Sequence, residues 1–244
     1  MKRRLFAGSS VLMLGFLLIG CGGSPSEPSP PPPPPPPTGT WIDNEPTTIG
    51  TLAGNPNPGN SFPFGAMPPN FPATTYQQVY ASGQFGTSPI RLTRLDFFAV
   101  ATGSSPRRDV VSANYEFSLS TTSRSVDGLD TANLGTNVGS DVRVVLATAL
   151  GAGAIVDNVM NITFSTPFNY SPTGGNLLLQ ILRSSPGANV SVGLVSHVPN
   201  DGFPRGLSSR ASNFGNGHAG FYLVTRFHHQ RCQCPTAEPC TCPN

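Results

Sequence analysis

Apolar residues recur at every second position in one segment of this chain after another, a period that belongs to half-buried strands. In ANYEFSLST, Tyr115, Phe117 and Leu119 share one face, and Asn114, Glu116 and Ser118 the other. Met160, Ile162 and Phe164 alternate in MNITFS, Val142, Val144 and Leu146 in DVRVVLATAL, and Val190, Val192 and Leu194 in NVSVGLVS. Phe221, Leu223, Thr225 and Phe227 do the same in GFYLVTRF. IRLTRLDFFAV begins on Ile90 and Leu92 and resumes on Leu95 and Phe97, so a β-bulge is expected at Thr93–Arg94. NLLLQILR is apolar on both faces and reads as a central strand covered on both sides; TYQQVYAS supplies a further strand. The one helical candidate, VVLATALGAGAIVDNVM, alternates in its first half and carries glycines in its second. Clusters such as SPRRD, GTNVGSD, SPTGGN and SSPGAN separate the strands with turn chemistry. About eight strands and no credible helix predict an all-β fold, a two-sheet antiparallel β-sandwich, jelly-roll-like.

Upstream of this domain the chain reads differently. Lys2, Arg3 and Arg4 precede an apolar run that ends in Leu18-Ile19-Gly20-Cys21. The run is shorter than the roughly 20 residues a bilayer span needs and has the layout of a secretory signal. Its end is similar to a bacterial lipobox, which implies that Cys21 becomes a lipidated N-terminus carrying palmitate-type acyl chains. Gly22 stands where an Asp favours inner-membrane retention, so in a cell that has an outer membrane, that membrane is the expected address rather than the inner one. Eight consecutive prolines, residues 30–37, can adopt only polyproline II, a stiff spacer of roughly 25 Å at about 3.1 Å per residue. The expected organisation is a lipoprotein signal peptide over 1–20, the lipidated cysteine and a disordered Pro-rich tether over 21–40, the β-sandwich over 41–227, and a Cys-rich tail over 228–244.

Removing the basic n-region leaves eleven Arg against twelve Asp and Glu, a charge of about −1. Such a surface argues against nucleic acid as a partner. The expected contacts are the membrane, through lipid on Cys21, and envelope polysaccharide or envelope proteins.

Six phrases occur in order: YQQVY, SLSTT, VDGL, NVGSD, TPFNYSPTGGNLLL and LVTRF. Together they resemble the uncharacterised β-sandwich ectodomains of bacterial PEP-CTERM exosortase-sorted exoproteins, over roughly residues 61–227. The resemblance implies an exported, envelope-associated all-β domain and no particular reaction. The sequence departs from those proteins at its end. They carry a Pro-Glu-Pro motif, a hydrophobic helix and a basic tail, where this chain reads HHQRCQCPTAEPCTCPN. The lipid on Cys21 is then the expected replacement anchor. Taken by themselves, the phrases read as fold determinants: tight turns, and tyrosines that bury a ring and bond the backbone with the hydroxyl.

No GxSxG elbow, HExxH or P-loop occurs, so the chain is expected not to be an enzyme; a secreted hydrolase is the third reading. His197 and His218 lie in loop-like contexts. The carboxylates Asp96, Asp109, Glu116, Asp127, Asp130, Asp141 and Asp157 mostly fall in turns, where Asp bonds backbone. Asp127, Asp130 and Asp141 could together hold Ca²⁺, the alternative being a loop of Asx turns. Phe62, Phe64 and Phe71 sit in an aromatic, Pro-rich stretch, residues 55–75, read as a flap whose rings plug the sandwich, or alternatively as a platform for a glycan.

The tail has two readings. Four cysteines spaced C-x-C-x5-C-x-C, preceded by His228 and His229, could bind Zn²⁺ or Cu⁺. In an exported chain, disulfides are the expected state, nested as Cys232–Cys242 and Cys234–Cys240, in a compact knob outside the sandwich core. The function expected is a membrane-anchored, non-catalytic β-sandwich lipoprotein of the envelope, structural, adhesive or ligand-binding. The alternative is a metal- or redox-active lipoprotein working through its tail.

Overall fold

The computed structural model describes residues 35, 37–52, 57–60, 62–65, 74–100, 110–184, 194–197, 207–211, 222–235 and 242–243. The signal segment, Cys21 and the proline run before Pro35 lie outside them, as do Phe71, Asp109, Val190, Val192, His218, Phe221 and Cys240. Everything described from Pro37 onward falls within one unit, Pro36–Asn244.

The strands are β1 (Thr40–Asp43), β2 (Thr47–Ile49), β3 (Asn57–Asn60), β4 (Thr74–Tyr80), β5 (Ile90–Phe98), β6 (Ala113–Thr122) and β7 (Arg143–Leu150). They continue with β8 (Val159–Tyr170), β9 (Asn176–Arg183), β10 (Leu194–His197), β11 (Leu207–Ala211), β12 (Tyr222–Leu223) and β13 (Thr225–Gln233). Among the described residues the helical elements are 3-10 turns, at Ser82–Phe85, Leu134–Asn137 and Pro172–Gly174.

Two antiparallel sheets pack face to face, as the alternation predicts. One runs β1-β13-β5-β8, with β2 also paired to β13; the other runs β11-β4-β9-β6-β7. A small third sheet, β12-β10-β3, adjoins them through an Ala99–Leu194 bridge. If β2, β4, β5, β6, β7, β8, β9 and β13 are counted one to eight along the chain, the facing sheets read 1-8-3-6 and 2-7-4-5. That is the strand order of a jelly roll; the sequence pattern anticipates the two-sheet sandwich, and the pairing of distant strands supplies the order.

The inner faces carry the residues that alternation picks out. Tyr115, Phe117 and Leu119 on β6, Met160, Ile162 and Phe164 on β8, and Leu223 and Phe227 near the end are all buried. The register of β5 against β13 shifts where His228 pairs with Arg94 and His229 with Leu92, which places the bulge at Thr93 and lets Leu92, Leu95 and Phe97 all face inward. On β7 the expected phase is wrong. Phe117 pairs with Leu146 but Ser118 with Val144, so Val145 is the extra residue of a bulge. Val145 turns into the core, while Val142 and Val144 are exposed at 47% and 45%. A run of three β-branched residues in VRVV hides such a shift, because either phase looks apolar.

β9 is the central strand it was read to be, and its second cover is a loop. Leu177, Leu179 and Ile181 are buried with the main core, and Leu178 packs on the other side with Val79, Leu129, Val126, Leu134 and Val138. Residues 123–142, between β6 and β7, thus lie across the outer face of the second sheet. Hydrogen bonds seam the two together. Gln77 Nε2 donates to Leu134 O (3.0 Å) and to Gln180 Oε1 (2.8 Å), while Asn137 Nδ2 donates to Gln77 Oε1 (2.8 Å) and to Asp130 O (2.9 Å). Thr122 Oγ1 donates to Asn137 O (2.7 Å), and Gly139 N to Ser120 Oγ (3.2 Å). Five phrases of the sequence (YQQVY, SLSTT, VDGL, NVGSD and the NLLL after SPTGG) therefore meet in this one seam, as fold determinants. Buried amides of this kind hold a loop in place because each would cost free energy without its partners.

Gly139 is where the cover approaches closest. A β-carbon there would lie 1.7 Å from Thr121 O. Gly139→Ala is expected to lift the cover, with a loss of about 1–3 kcal/mol. Hydrogen exchange should speed up across residues 123–142 while β5 and β13 stay protected; unchanged exchange and melting would contradict the seam.

The 62–65 segment plugs the sandwich. Phe64 is fully buried, with ring centroids 5.4 Å from Phe97 and 5.5 Å from Tyr115, and Phe62 lies 5.7 Å from Tyr76. The segment is tied down by Arg183 at the end of β9, whose Nη1 donates to Pro63 O (2.9 Å) and Gly65 O (2.7 Å). The glycan-platform alternative does not hold for Phe62 and Phe64: rings spent on the core offer no face to a ligand.

Candidate functional site

The strands put the charged residues of the first sheet on its outer face. Arg94 and Asp96 follow the β5 bulge in phase, and the register sets Arg226 beside Asp96 and His228 beside Arg94. Asp96 is 1% exposed and is the common partner of the group. Arg94 Nε lies 3.1 Å from Oδ1, Arg226 Nη1 3.8 Å from Oδ2 and His228 Nε2 2.7 Å from Oδ2. Arg94 Nη2 also comes within 2.7 Å of His228 Nε2. One nitrogen of a neutral imidazole cannot donate to the carboxylate and accept from the guanidinium at once. The carboxylate, offering a charge-assisted bond, is the stronger partner. Arg226 also covers the Phe98 ring at 4.8 Å, a cation–π contact. Among the described residues no hydroxyl or thiol side chain hydrogen-bonds the His228 ring. The group is a pinned ionic knot, with its acid already shared three ways.

The tail departs from the expected boundary at 227. β13 runs on to Gln233, because Arg231 still pairs with Ile90 of β5 and Cys232 with Trp41 of β1. His228 and His229 are therefore sheet residues, on opposite faces of β13. His229 is buried, with its Nε2 3.0 Å from Thr47 Oγ1. Cys232 and Cys242 form the predicted disulfide, and Cys234 is disulfide-bonded as well. Among the described residues, no three His, Cys, Asp or Glu side chains are grouped as metal ligands. The tail is thus not a knob after the last strand. Its first part is sheet, and the disulfide brings Cys242 back to it.

That return builds a cleft. Trp41 Nε1 donates to Pro243 O at 2.8 Å, and the Arg91 guanidinium stands 6.0 Å over the indole. Beside them opens a cavity of about 550 Å³, lined by Trp41, Pro89, Ile90, Asn169, Ser171 and Arg231, with Ser88, Tyr170 and the three tail cysteines completing the wall. Its volume is that of a small-molecule site, which runs to roughly 300–1,000 Å³. Trp41, Arg91 and Arg231 carry no motif, and the residues that meet here are up to 202 positions apart. The one signal in the sequence is that the chain's single tryptophan follows directly on the proline tether.

Of the remaining candidates, Asp130 and Asp141 serve the backbone. Asp130 Oδ1 accepts from the amides of Ala132 and Asn133, and Asp141 Oδ1 from that of Thr121 (2.8 Å). These hydrogen bonds and nearby Arg124 hold Asp130 below the usual carboxylate range, the Asn133 amide most of all. His197 closes β10.

Burial, and then the charge of His228, push the His229 pKa down. The folded state therefore keeps His229 neutral while the unfolded chain takes up a proton near pH 6.5. Stability from this residue is complete above about pH 6.5 and declines as the pH falls below it. Chemical denaturation between pH 7.5 and 5 should show wild-type stability falling, with a shallower slope for His229→Gln; parallel slopes would refute the assignment.

No family model, curated protein or solved structure matches the chain.

Proposed function

We propose that this chain is a lipid-anchored, non-catalytic binding module of a bacterial envelope, a jelly roll displayed on a proline tether and using the Trp41 cleft as its ligand site. The cleft carries the reading: it is a cavity of ligand size whose tryptophan is fixed by a hydrogen bond at 2.8 Å. Jelly rolls host many activities, so the fold lends no particular one. The ionic knot supports a binding role over hydrolysis, since Asp96 is already spent on Arg94, Arg226 and His228. The lipobox-like end at Cys21 supports the lipid anchor, and Gly22 supports the outer over the inner membrane in a cell that has both. The order of the six phrases supports a likeness to PEP-CTERM-type ectodomains.

Two measurements test it. Wild-type protein should partition into detergent and carry acyl chains, and Cys21→Ser should leave it in the aqueous phase; a mutant that stays acylated and membrane-bound sinks the anchor. A saccharide array, neutral and acidic, should give signals that fall at least tenfold in Trp41→Ala. An array with no signal, or one indifferent to Trp41, removes the binding site.

A further inference from the structure

The cleft has an unbalanced charge. Outside the cleft, Arg94 and Arg226 share Asp96, and Arg124 lies 3.9 Å from Asp130. Arg231, exposed on the cleft wall, and Arg91, over the indole, form no ion pair among the described residues. Among the described residues the lining contains no Asp or Glu. Asp43, on β1 beyond Trp41, has Oδ1 taken by Gln230 Nε2 at 3.0 Å.

The uncharged wall is divided by chemistry. Trp41, Pro89, Ile90 and the cystine sulfurs are apolar, whereas Ser88, Asn169 and Ser171, whose Oγ lies 3.0 Å from Thr173 Oγ1, make the polar part of the wall. An inorganic anion would leave the indole unused. A neutral apolar molecule would leave Arg231 unanswered and the hydroxyls dry. A pyranose has an apolar face to lay on an indole and a rim of hydroxyls, and a carboxylate on that ring gives a guanidinium a two-point partner. Trp41 is already immobilised by β1–β13 pairing, by the Pro243 carbonyl and by the Cys232–Cys242 bond, so little side-chain freedom is left to lose on binding.

Resting on the reading of this cleft as the ligand site, we infer that it binds a carboxylate-bearing saccharide, a uronic acid in a glycan, with Trp41 under the sugar ring and Arg231 on the carboxylate.

The test is titration calorimetry on the full chain in detergent, with trigalacturonate, its methyl ester and the neutral galactotriose as probes, and decanoate as a carboxylate without a sugar. Trigalacturonate should bind at least tenfold more tightly than the ester or the neutral trisaccharide. Arg231→Ala should erase that preference at an unchanged melting temperature, with Arg231→Lys recovering part of it. Trp41→Ala should weaken binding at least tenfold, and Trp41→Phe less. Trp41-dependent binding of acid and neutral sugars with equal affinity overturns the carboxylate inference and leaves the binding-module reading standing. Decanoate binding more tightly than trigalacturonate overturns the saccharide. If no sugar binds up to millimolar concentration, the inference falls, and a blank saccharide array takes the module reading with it.

Discussion

Leu179→Asp will yield no cooperatively folded domain. Leu179 sits on β9, between Gln78 of β4 and Leu119 of β6, and is fully buried on the inner face of the second sheet. A carboxylate there has no cation to meet; Arg183, on the same strand, is committed to the carbonyls of Pro63 and Gly65. The aspartate must either ionise in an apolar interior or stay protonated with a raised pKa, and it also leaves part of the leucine's volume empty. The combined cost is at least several kcal/mol, against a total stability of about 5–15 kcal/mol for a domain. Circular dichroism melts and size exclusion should show an unfolded or aggregated chain. Leu179→Met, which keeps volume and polarity, should cost less than about 1.5 kcal/mol. A Leu179→Asp protein with a cooperative melt near that of wild type would refute the placement of β9 at the centre.

Cys232→Ser combined with Cys242→Ser is expected to lower the melting temperature by roughly 5–12 °C. The bond spans a sequence separation of 10, and closing a short loop of this kind is worth about 2–3 kcal/mol through the entropy of the unfolded chain. Its position adds to that. Cys232 pairs with Trp41 on the short edge strand β1, and the segment it holds carries the carbonyl that accepts the Trp41 indole bond. Releasing it frees Pro243 and exposes an edge strand of only four residues. The double variant avoids leaving one thiol to mispair with Cys234 or Cys240. Calorimetric melts of wild-type and double-variant protein decide the matter, and tryptophan fluorescence reports the loss locally, since Trp41 is the single tryptophan. A shift below about 2 °C with unchanged fluorescence would return the tail to the status of a knob outside the core.

The start of the tail shows the limit of local pattern. His228 and His229 precede four cysteines and look like the start of a separate segment; nothing in HHQRCQC alternates apolar with polar. Yet β13 continues through it, because β1 and β5 flank it with free backbone groups and the pairing follows those partners rather than the side chains. On β7 the failure had another origin: Val142, Val144 and Val145 are equally apolar, so period alone could not say which of them faced inward. The bulge at Thr93, by contrast, was legible, since Leu92 and Leu95 are separated by the polar pair Thr93–Arg94 and the break in phase was visible.

The candidate site divides in the same way. The Cys232–Cys242 pairing could be anticipated from the nested C-x-C-x5-C-x-C spacing and the disulfides expected of an exported chain. Phe62 and Phe64 were recognised as rings with a task, but whether they faced the core or a ligand depended on Arg183 and its two carbonyls. Asp96 is one carboxylate among the seven singled out in the sequence, within the strand IRLTRLDFFAV, and is the buried centre of an ionic knot. Its partners Arg226 and His228 lie more than 120 residues away and come beside it only when β13 pairs with β5. Trp41, Arg91 and Arg231 were not singled out at all.

What the sequence determined by itself was local: strands from two-residue alternation, turns from Gly, Pro, Asn and Asp, the doubly apolar centre at β9, and with these an all-β sandwich. What the tertiary structure decided was adjacency, namely the jelly-roll order, the loop seamed over β9, and the cleft where the beginning and end of the domain meet at Trp41. The division has a physical reason. Alternation and turn chemistry act between residues a few positions apart, where the chain has few conformations to choose among. Which distant strand lies alongside depends on the one arrangement that buries every apolar face and satisfies every backbone group at once.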